Sequence, residues 1–273
     1  MKLSIITINY NNKDGLQKTI DSVVNQTWRD FEWIIIDGGS TDGSKELIDQ
    51  YQQHFSYWCS ESDKGIYNAM NKGVSHAHGE YVNFMNSGDI FHDSEVLGTI
   101  FRKELYGDVL IGQVNCVGKD LIVNRIDGDG CDIGWKRVNE GFCHQGTFSR
   151  LKLLKTHPFD ENLKIASDWK FWCQTIIFDN SSIQNLDMIV TDYDITGISS
   201  NVENDELQRK ERELIKQSLF PPRILKELQD YQTLRNMPYV YGMKYIEKSN
   251  YGIFLFFRKL ISLVYRFLFK STI

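Results

Sequence analysis

The chain has 273 residues, of which 41% are hydrophobic and 13% aromatic. This length and composition can fill a sizeable apolar core, and they exclude a largely disordered protein. The formal net charge of −5 disfavours bulk binding of nucleic acid, which requires a basic surface. The charge is uneven, because residues 1–203 carry 18 Lys and Arg against 29 Asp and Glu, whereas residues 204–273 carry 13 against 7.

The five cysteines include no CxxC pair, so neither a disulfide framework nor a zinc site is predicted. Reduced thiols in a cytoplasmic protein are the simpler interpretation. The first residues contain too short an apolar run for a signal peptide, and no stretch is long and charge-free enough to span a bilayer. We therefore expect a cytoplasmic catalytic part.

The first half of the chain alternates between predicted strands and predicted helices. Residues 3–8 (LSIITI) form a β-branched run typical of a strand, and residues 14–26 place apolar side chains at helical spacing. The pattern continues with strands at 31–37, 56–61 and 80–85 and with helices at 45–55 and 65–77. This alternation predicts an α/β fold with right-handed crossovers and a mainly parallel sheet.

Beyond residue 106 the pattern changes to short strands, at 108–117 and 121–126, and the end of the chain is largely helical. We predict one domain over residues 1–200, made of a first half at 1–105 and a second half at 106–200. A helical extension is predicted over residues 201–273.

Polar side chains follow the predicted strands at the point where each strand ends: Asn9, Asp37, Asp63 with Lys64, and Asp89. The carboxyl ends of parallel strands meet at one edge of a sheet, which is the edge that binds ligands. Asp37 can accept a hydrogen bond from a nucleobase or a ribose, although an aspartate before glycines also forms turns. Asp89, opposite Lys64, suits a divalent cation that neutralises a diphosphate leaving group.

A dinucleotide-binding interpretation fails on its motifs. No GxGxxG follows the first strand, and the chain contains no GxxxxGK[ST]. An NAD-dependent oxidoreductase is therefore disfavoured, since its glycines must bring backbone amides against a pyrophosphate.

Four segments stand out in chain order: SIITINYNN, IIIDGGSTDGS, SESDKGIYNAMNKGVSHAHGEYVNFMNSGD and FDENLKIASDWKFW. Together they resemble glycosyltransferase family 2, the inverting enzymes with the GT-A fold, over about residues 1–195. The nearest resemblance is to the branch that builds colanic-acid-like and other bacterial surface polysaccharides. It implies a Rossmann-like, mixed, mostly parallel sheet flanked by helices, in a catalytic domain over residues 1–200 whose nucleotide-sugar half is 1–105 and whose acceptor half is 106–200. It also implies transfer of a sugar from a nucleotide diphosphate donor, UDP before GDP, to a lipid-linked saccharide acceptor.

The resemblance places six residues at the donor nucleotide: Thr7, Asn9, Asp37, Gly38, Asp63 and Lys64. Residues 86–89 (NSGD) lie where the family has a DxD-type cluster, but Asn86 and Gly88 occupy positions that are commonly aspartates. Asp89 is thus the predicted ligand of a divalent cation, Mn²⁺ or Mg²⁺. The thinned acidic cluster also suggests an alternative function, a catalytically silent nucleotide-sugar-binding or assembly protein.

Asp168 falls on the family's catalytic base, the carboxylate that takes the proton of the attacking hydroxyl. From the residues alone, Asp168 is equally typical of the first turn of a helix, with Ser167 as its N-cap. His144 and Gln145 resemble a segment on the acceptor side, and we predict that they lie near the sugar or the acceptor. A lone histidine is as readily a hydrogen-bonded core residue, so both interpretations of His144 stay open.

Residues 251–270 (YGIFLFFRKLISLVYRFLFK) predict an amphipathic basic helix. Arg258, Ser262, Arg266 and Lys270 are spaced four apart and form a polar stripe opposite a wide aromatic face. Such a helix lies in the interface of an anionic leaflet, here the cytoplasmic face of the inner membrane. The alternative is a helix that docks on the catalytic domain or on a second subunit of a homo-oligomer.

Overall fold

The computed structural model describes residues 1–118, 122–125, 138–139, 141–194, 204–236 and 251–269. The chain divides into two compact units, Met1–Ile215 and Lys216–Ile273. The domain boundary predicted between residues 200 and 201 lies outside the described residues and stays a prediction.

In the first unit, strands and helices alternate as the sequence predicted. The strands of the first half are β1 (Leu3–Asn9), β2 (Phe31–Asp37), β3 (Tyr57–Ser60), β4 (Tyr81–Phe84) and β5 (Ile90–Phe91). The helices between them are α1 (Lys13–Val24), α2 (Ser44–Tyr51) and α3 (Ile66–Ser75), and α4 (Val96–Phe101) follows β5.

Among the described residues of its second half, this unit has the strands β6 (Val109–Val117), β7 (Ile122–Arg125), β8 (Thr147–Arg150) and β9 (Ile183–Asp194). Its helices are α5 (Leu151–Thr156), α6 (Ser167–Trp172) and α7 (Asp205–Leu219), and a π-helical turn, Cys173–Phe178, follows α6.

The described strands form one mixed sheet in the order β3-β2-β1-β4-β8-β6-β9-β5, with β7 paired to β6. The block β3-β2-β1-β4 is parallel, and β6 is also parallel to β9, whereas β8, β7 and β5 pair antiparallel to their neighbours. Within the parallel block, Asn9 pairs with Asp37 and Asp37 with Ser60. These three residues therefore lie side by side at the carboxyl edge, as the α/β prediction required.

The parallel strands are long apolar runs because helices cover the sheet. Leu3 and Ile5 of β1 and Trp33 of β2 are fully buried and share a core with Leu16 and Ile20 of α1. The spacing of the apolar residues in α1 places one face against the sheet and leaves the other in water. The packed core thereby fixes where each strand ends and where its polar loop begins.

A buried carboxylate, that of Glu32, binds backbone N–H groups at the opposite, amino edge of the sheet. Glu32 of β2 accepts hydrogen bonds from Ser4 Oγ (2.6 Å) and from the backbone N–H groups of His78 and Gly79. Burial raises the pKa of Glu32, but these donors outweigh it and hold the pKa below its ordinary value. A surface depression of about 500 Å³ beside Tyr81 also lies at this amino edge, away from the polar loops.

The second unit contains α8 (Pro222–Asn236) and α9 (Tyr251–Phe269). Among the described residues, no helix combines the length and the apolar character needed to cross a membrane. The helix predicted at 251–270 is present over Tyr251–Phe269, and Lys270 lies outside the described residues.

Candidate functional site

Asp37 is the centre of a hydrogen-bond network at the carboxyl edge of the sheet. Its Oδ1 accepts from Asn9 Nδ2 (2.7 Å) and from Ser40 Oγ, and its Oδ2 accepts from Ser60 Oγ (2.6 Å) and from Ser40 N (2.9 Å). Burial raises the pKa of Asp37, but these donors outweigh burial and hold the pKa below its ordinary value. The site thus keeps an ionised carboxylate at the end of β2.

The loop after β1 is tied to the loops after β2 and β4. Asn11, whose φ of 48° lies in the left-handed region, accepts a hydrogen bond from Thr41 N through Oδ1 (2.9 Å). Asn12 donates from Nδ2 to the carbonyl of Ser87 (3.0 Å). Asparagine suits both positions, because its short amide side chain tolerates left-handed backbone and bonds neighbouring loops. These bonds gather three strand-end loops into one surface.

Gly38 lies close to the side chains of Asp63 and Tyr10. A Cβ at this position would lie 2.7 Å from Oδ2 of Asp63 and 3.2 Å from Cδ2 of Tyr10. Gly65 N donates a hydrogen bond to Oδ1 of Asp63 (2.8 Å). Lys64 is exposed to solvent. Tyr10 is 67% exposed, and its ring lies beside Gly38 and Asp63. The sequence analysis missed Tyr10, although it directly follows the strand-end Asn9.

Thr7 lies further inside the sheet than the other predicted donor residues. It is fully buried, and its Oγ1 accepts a hydrogen bond from Trp33 Nε1 (3.0 Å). Asn9, also buried, has an Oδ1 atom without a hydrogen-bond partner among the described residues. Asn9 therefore retains an acceptor for a ligand, whereas a contact of Thr7 with the donor stays a prediction.

The NSGD loop is fastened to α1 through Thr19. Gly88 N donates to Thr19 Oγ1 (3.0 Å), and this hydroxyl contacts the carbonyl of Asp89 (2.8 Å). Gly88 has a φ of 106°, a conformation that favours glycine and explains its place in the loop. Asp89 is buried at this position, and Asn86 carries a buried Oδ1 without a partner in the described part of the chain.

The described residues contain no group of three or more His, Cys, Asp or Glu that could hold a metal. Asp89 nevertheless supplies one carboxylate, and the unpartnered Oδ1 of Asn86 is a second hard oxygen in the same loop. Mg²⁺ is commonly bound through one or two carboxylates together with substrate phosphates. The loop therefore fits a cation held mainly by a diphosphate rather than by a complete protein cage.

Asp168 lies in the first turn of α6, within reach of two other polar side chains. Its Oδ1 accepts from Trp169 N (2.8 Å) and from the hydroxyl of Tyr67 (3.3 Å), and its Oδ2 lies 3.6 Å from Nδ1 of His144. Burial, and then the charge of Asp168, raises the pKa of Tyr67 well above its ordinary value, so the phenol stays protonated. Tyr67 was missed in the sequence, because 101 residues separate it from Asp168.

The prediction that Ser167 caps α6 is wrong. Ala166 occupies the N-cap position and makes no side-chain cap, and Ser167 is the first helical residue. The hydroxyl of Ser167 instead accepts a hydrogen bond from Asp160 N (2.6 Å). The cap was mispredicted because the loop before α6 competes for the same hydroxyl.

His144 connects the loop after β4 to the base candidate. It opens a 3₁₀ turn, His144–Gly146, before β8, and Asn86 Nδ2 lies 3.1 Å from its Nε2. If Nε2 accepts from Asn86, the neutral ring carries its proton on Nδ1, which faces Asp168. His144 thus belongs to the polar site. Gln145 is buried beside it, and its carbonyl accepts from Asn83 Nδ2 and Thr191 Oγ1 (both 2.9 Å).

A narrow crevice with room for about one water molecule opens beside Asp168 and His144. Its remaining walls are mostly apolar: Val82, Phe84, Thr147, Ser149, Leu154, Phe159, Phe171 and Trp172. Apolar walls around a carboxylate lower the local dielectric constant and strengthen its polar interactions. The arrangement suits a base that must take a proton from a weakly acidic hydroxyl.

Comparison with known proteins assigns this geometry to a family. The model of glycosyl transferase family 2 matches residues 4–127. An uncharacterized glycosyltransferase of Mycobacterium tuberculosis is 32% identical over 209 residues, which cover 74% of this chain and 78% of that protein. A PGL/p-HBAD biosynthesis glycosyltransferase of Mycobacterium bovis is 26% identical over 222 residues, covering 76% of this chain and 82% of that protein.

Among solved structures, S. aureus TarS 1–349 in complex with UDP-GlcNAc has a similar fold. The TM-score is 0.57 at 21% identity, and the match covers 71% of this chain and 58% of that one. The chain thus spans less than two thirds of the TarS structure. At this identity the likeness concerns the fold, and it confirms the predicted GT-A type.

Proposed function

Because the chain belongs to glycosyl transferase family 2 and is a glycosyltransferase, we propose that it moves a sugar from a nucleotide diphosphate donor to a lipid-linked saccharide. The transfer inverts the anomeric configuration and serves assembly of a bacterial surface polysaccharide. UDP is preferred to GDP as the donor nucleotide, which is supported by the UDP-GlcNAc bound to TarS. The biosynthetic relative in M. bovis supports a glycan product.

The donor nucleotide is held at the edge formed by Asn9, Asp37, Gly38 and Asp63. Asp37 fixes Asn9, Ser40 and Ser60 at this edge, and the unpartnered Oδ1 of Asn9 supplies an acceptor for an N–H or O–H group of a base or a ribose. The exposed ring of Tyr10, next to Gly38, offers a stacking face for the base. Lys64 is exposed and carries the positive charge suited to the diphosphate.

Transfer is a single displacement. The oxygen of the acceptor hydroxyl forms a bond to the anomeric carbon while the bond from that carbon to the diphosphate oxygen breaks. The hydroxyl proton moves to Asp168, and the nucleoside diphosphate departs from the opposite face of the sugar, which inverts the anomeric centre. Tyr67 donates to the carboxylate of Asp168, and the imidazole of His144 lies beside the same carboxylate.

Asp89, with Asn86 beside it in the loop, is the proposed site of a divalent cation, Mn²⁺ or Mg²⁺. When bound, such a cation neutralises charge that develops on the leaving diphosphate. Asp89 and Asn86 would hold the cation, and Thr19 Oγ1 contacts the backbone carbonyls of both residues.

The observation that carries this proposal is the contact path from Asn86 through His144 to Asp168, which joins the donor-side loop to the base. Titration calorimetry with UDP, GDP and NAD, each with and without Mn²⁺, tests it. We expect UDP to bind more tightly than GDP, Mn²⁺ to strengthen binding, and NAD not to bind. Tighter binding of NAD than of UDP would contradict the proposal.

We further propose that α9 associates with the cytoplasmic face of the inner membrane, where a lipid-linked acceptor resides. Its apolar side chains are exposed within the second unit, as in Phe256 (63%) and Ile261 (51%), and Arg258 and Lys259 are exposed with them. Exposed aromatic and cationic side chains on one helix are typical of binding to an anionic interface. A helix buried in a protein interface has less need of this cationic excess.

A further inference from the structure

Glu211 of α7 lies at the backbone that leads into α6. Its Oε1 accepts from Lys164 N (2.7 Å), and its Oε2 accepts from Ile165 N and Ala166 N (both 3.0 Å). The side chain is buried, with 6% of its surface exposed. One carboxylate therefore satisfies three consecutive N–H groups immediately before the helix that carries Asp168.

These bonds constrain the approach to Asp168. Ile165 and Ala166 are buried, so their N–H groups must find acceptors within the protein, whereas Lys164 is exposed. Here the acceptor comes from α7, which lies outside residues 4–127 matched by the family model. The conformation of residues 164–166, and thus the start of α6, depends on a side chain supplied from far along the chain.

The next residue of α7, Arg212, contacts residues on the C-terminal side of Asp168 and near it. Arg212 donates from Nη1 to the carbonyl of Asn139 (3.1 Å), and its guanidinium lies 5.1 Å from the ring centre of Trp169. Trp169 directly follows Asp168 and donates from Nε1 to the carbonyl of Val138 (2.7 Å). Helix α7 therefore contacts the chain both before and after the base candidate.

We propose that Glu211 is a positioning residue for Asp168. Its carboxylate fixes the backbone of residues 164–166, and this backbone sets the orientation of the Asp168 side chain toward the acceptor hydroxyl. The inference rests on the proposed role of Asp168 as the base. Glu211 does not touch the reacting atoms, so it acts only through the loop. Because a misplacement of about 1 Å costs roughly 100-fold in rate, loss of this constraint should lower turnover without weakening donor binding.

Glu32 offers a matched control. It is also a buried carboxylate, and it also accepts neighbouring backbone N–H groups, those of His78 and Gly79, but at the amino edge of the sheet. Glu32→Gln and Glu211→Gln should therefore cost comparable stability, and only the second should affect the base.

The experiment compares the parent with Glu211→Gln, Glu211→Asp, Glu32→Gln and Asp168→Asn. Turnover is the release of nucleotide from a panel of UDP-hexoses that includes UDP-GlcNAc, with water as the acceptor, and affinity is measured by calorimetry with UDP. Hydrogen exchange of peptides covering residues 160–168 reports the loop directly, without need of a substrate.

For Glu211→Gln we expect faster exchange over residues 164–166 and a fall in kcat of about 10- to 100-fold, with an unchanged KM for the donor and an unchanged Kd for UDP. Glu211→Asp retains the charge and should lie between this variant and the parent. Glu32→Gln should keep parental kcat and parental exchange over this loop.

Parental exchange and parental kcat in both Glu211 variants would overturn the inference. Equal losses of kcat in Glu32→Gln and Glu211→Gln would also overturn it, since the effect would then be general destabilisation. If neither glutamine variant folds, Glu211→Asp decides by the same exchange measurement. Failure of the proposed function gives a different result: if Asp168 is not the base, Asp168→Asn retains parental turnover.

Discussion

The imidazole of His144 lies beside the carboxylate of Asp168, with 3.6 Å between Nδ1 and Oδ2. Its other nitrogen faces Asn86 Nδ2 at 3.1 Å. The ring therefore stands between the loop that is expected to face the diphosphate and the residue that is expected to take the proton. This position allows His144 to orient Asp168 rather than only to contact the acceptor.

Replacing His144 with glutamine should lower turnover about tenfold, within the range of a lost positioning contact, and should leave UDP affinity unchanged. The decisive measurement is donor hydrolysis, in which water replaces the saccharide acceptor. If His144 orients Asp168, hydrolysis and transfer fall together. A loss confined to saccharide transfer would assign His144 to acceptor binding alone. His157→Gln, at the separate pair with Asp179, is the control and should behave as the parent.

Asp168→Asn should lose turnover by a factor on the order of 10²–10⁴, the usual contribution of a general base. The amide cannot accept the proton, yet it preserves the shape of the side chain and the acceptor for Trp169 N. Donor affinity, measured by calorimetry with UDP, should match the parent. Near-parental turnover would eliminate Asp168 as the base, and a parallel loss of UDP binding would make it a donor-site residue.

Asp89→Asn should weaken Mn²⁺-dependent UDP binding and leave the fold intact, because the residue lies in a loop at the sheet edge. The measurement is the ratio of UDP affinities with and without Mn²⁺, with Asp93→Asn in the following exposed segment as the control. An unchanged ratio in Asp89→Asn would show that the cation site is elsewhere.

Removing the chain from Tyr251 onward should release the protein from anionic vesicles without abolishing UDP binding. Each Lys or Arg near an anionic surface contributes about 1 kcal/mol, so Arg258, Lys259, Arg266 and Lys270 should make binding sensitive to salt. The apolar residues should leave a salt-resistant remainder: Phe254, Phe257, Leu260 and Leu268.

Co-sedimentation with vesicles at low and high salt measures membrane binding. The double variant Arg258→Glu, Lys259→Glu separates the contribution of the charges from that of the apolar side chains. Activity on a membrane-embedded acceptor should fall much more than activity on a short water-soluble analogue. Equal sedimentation of full-length and truncated protein would make α9 a packing or dimer helix, as would unfolding of the truncated form.

Asp37 should make stability depend on pH in the acid range. Its folded-state pKa lies below the usual value of 3.8, so its contribution is complete above that value and is lost as pH falls through the lower folded pKa. Asp37→Asn should be less stable than the parent at neutral pH and should lose less stability on acidification. Urea midpoints at pH 7 and below pH 4 measure this, with the exposed Asp14→Asn as the control. The prediction would be contradicted if the urea midpoints of the parent and of Asp37→Asn fell equally on acidification.

Several features follow from the sequence because their causes are local. The β-branched runs ending in Asn9 and Asp37 predict parallel strands, and parallel strands necessarily bring those ends to one edge. The same logic located the NSGD loop, and the spacing of apolar and basic residues predicted the helix Tyr251–Phe269. Only the motif resemblance, and no periodicity, pointed to Asp168, which by itself is an ordinary first-turn aspartate.

Contacts between segments that are distant in the sequence were decided only by the tertiary structure. Tyr67 and His144 reach Asp168, and Glu211 reaches residues 164–166, from separations that no local pattern encodes. The capping prediction for Ser167 was wrong for a local reason, since Asp160 N, seven residues earlier, donates to that hydroxyl. Strand and helix formation depends on neighbouring residues, whereas the orientation of a catalytic carboxylate depends on which distant donors and acceptors the packed core brings against it.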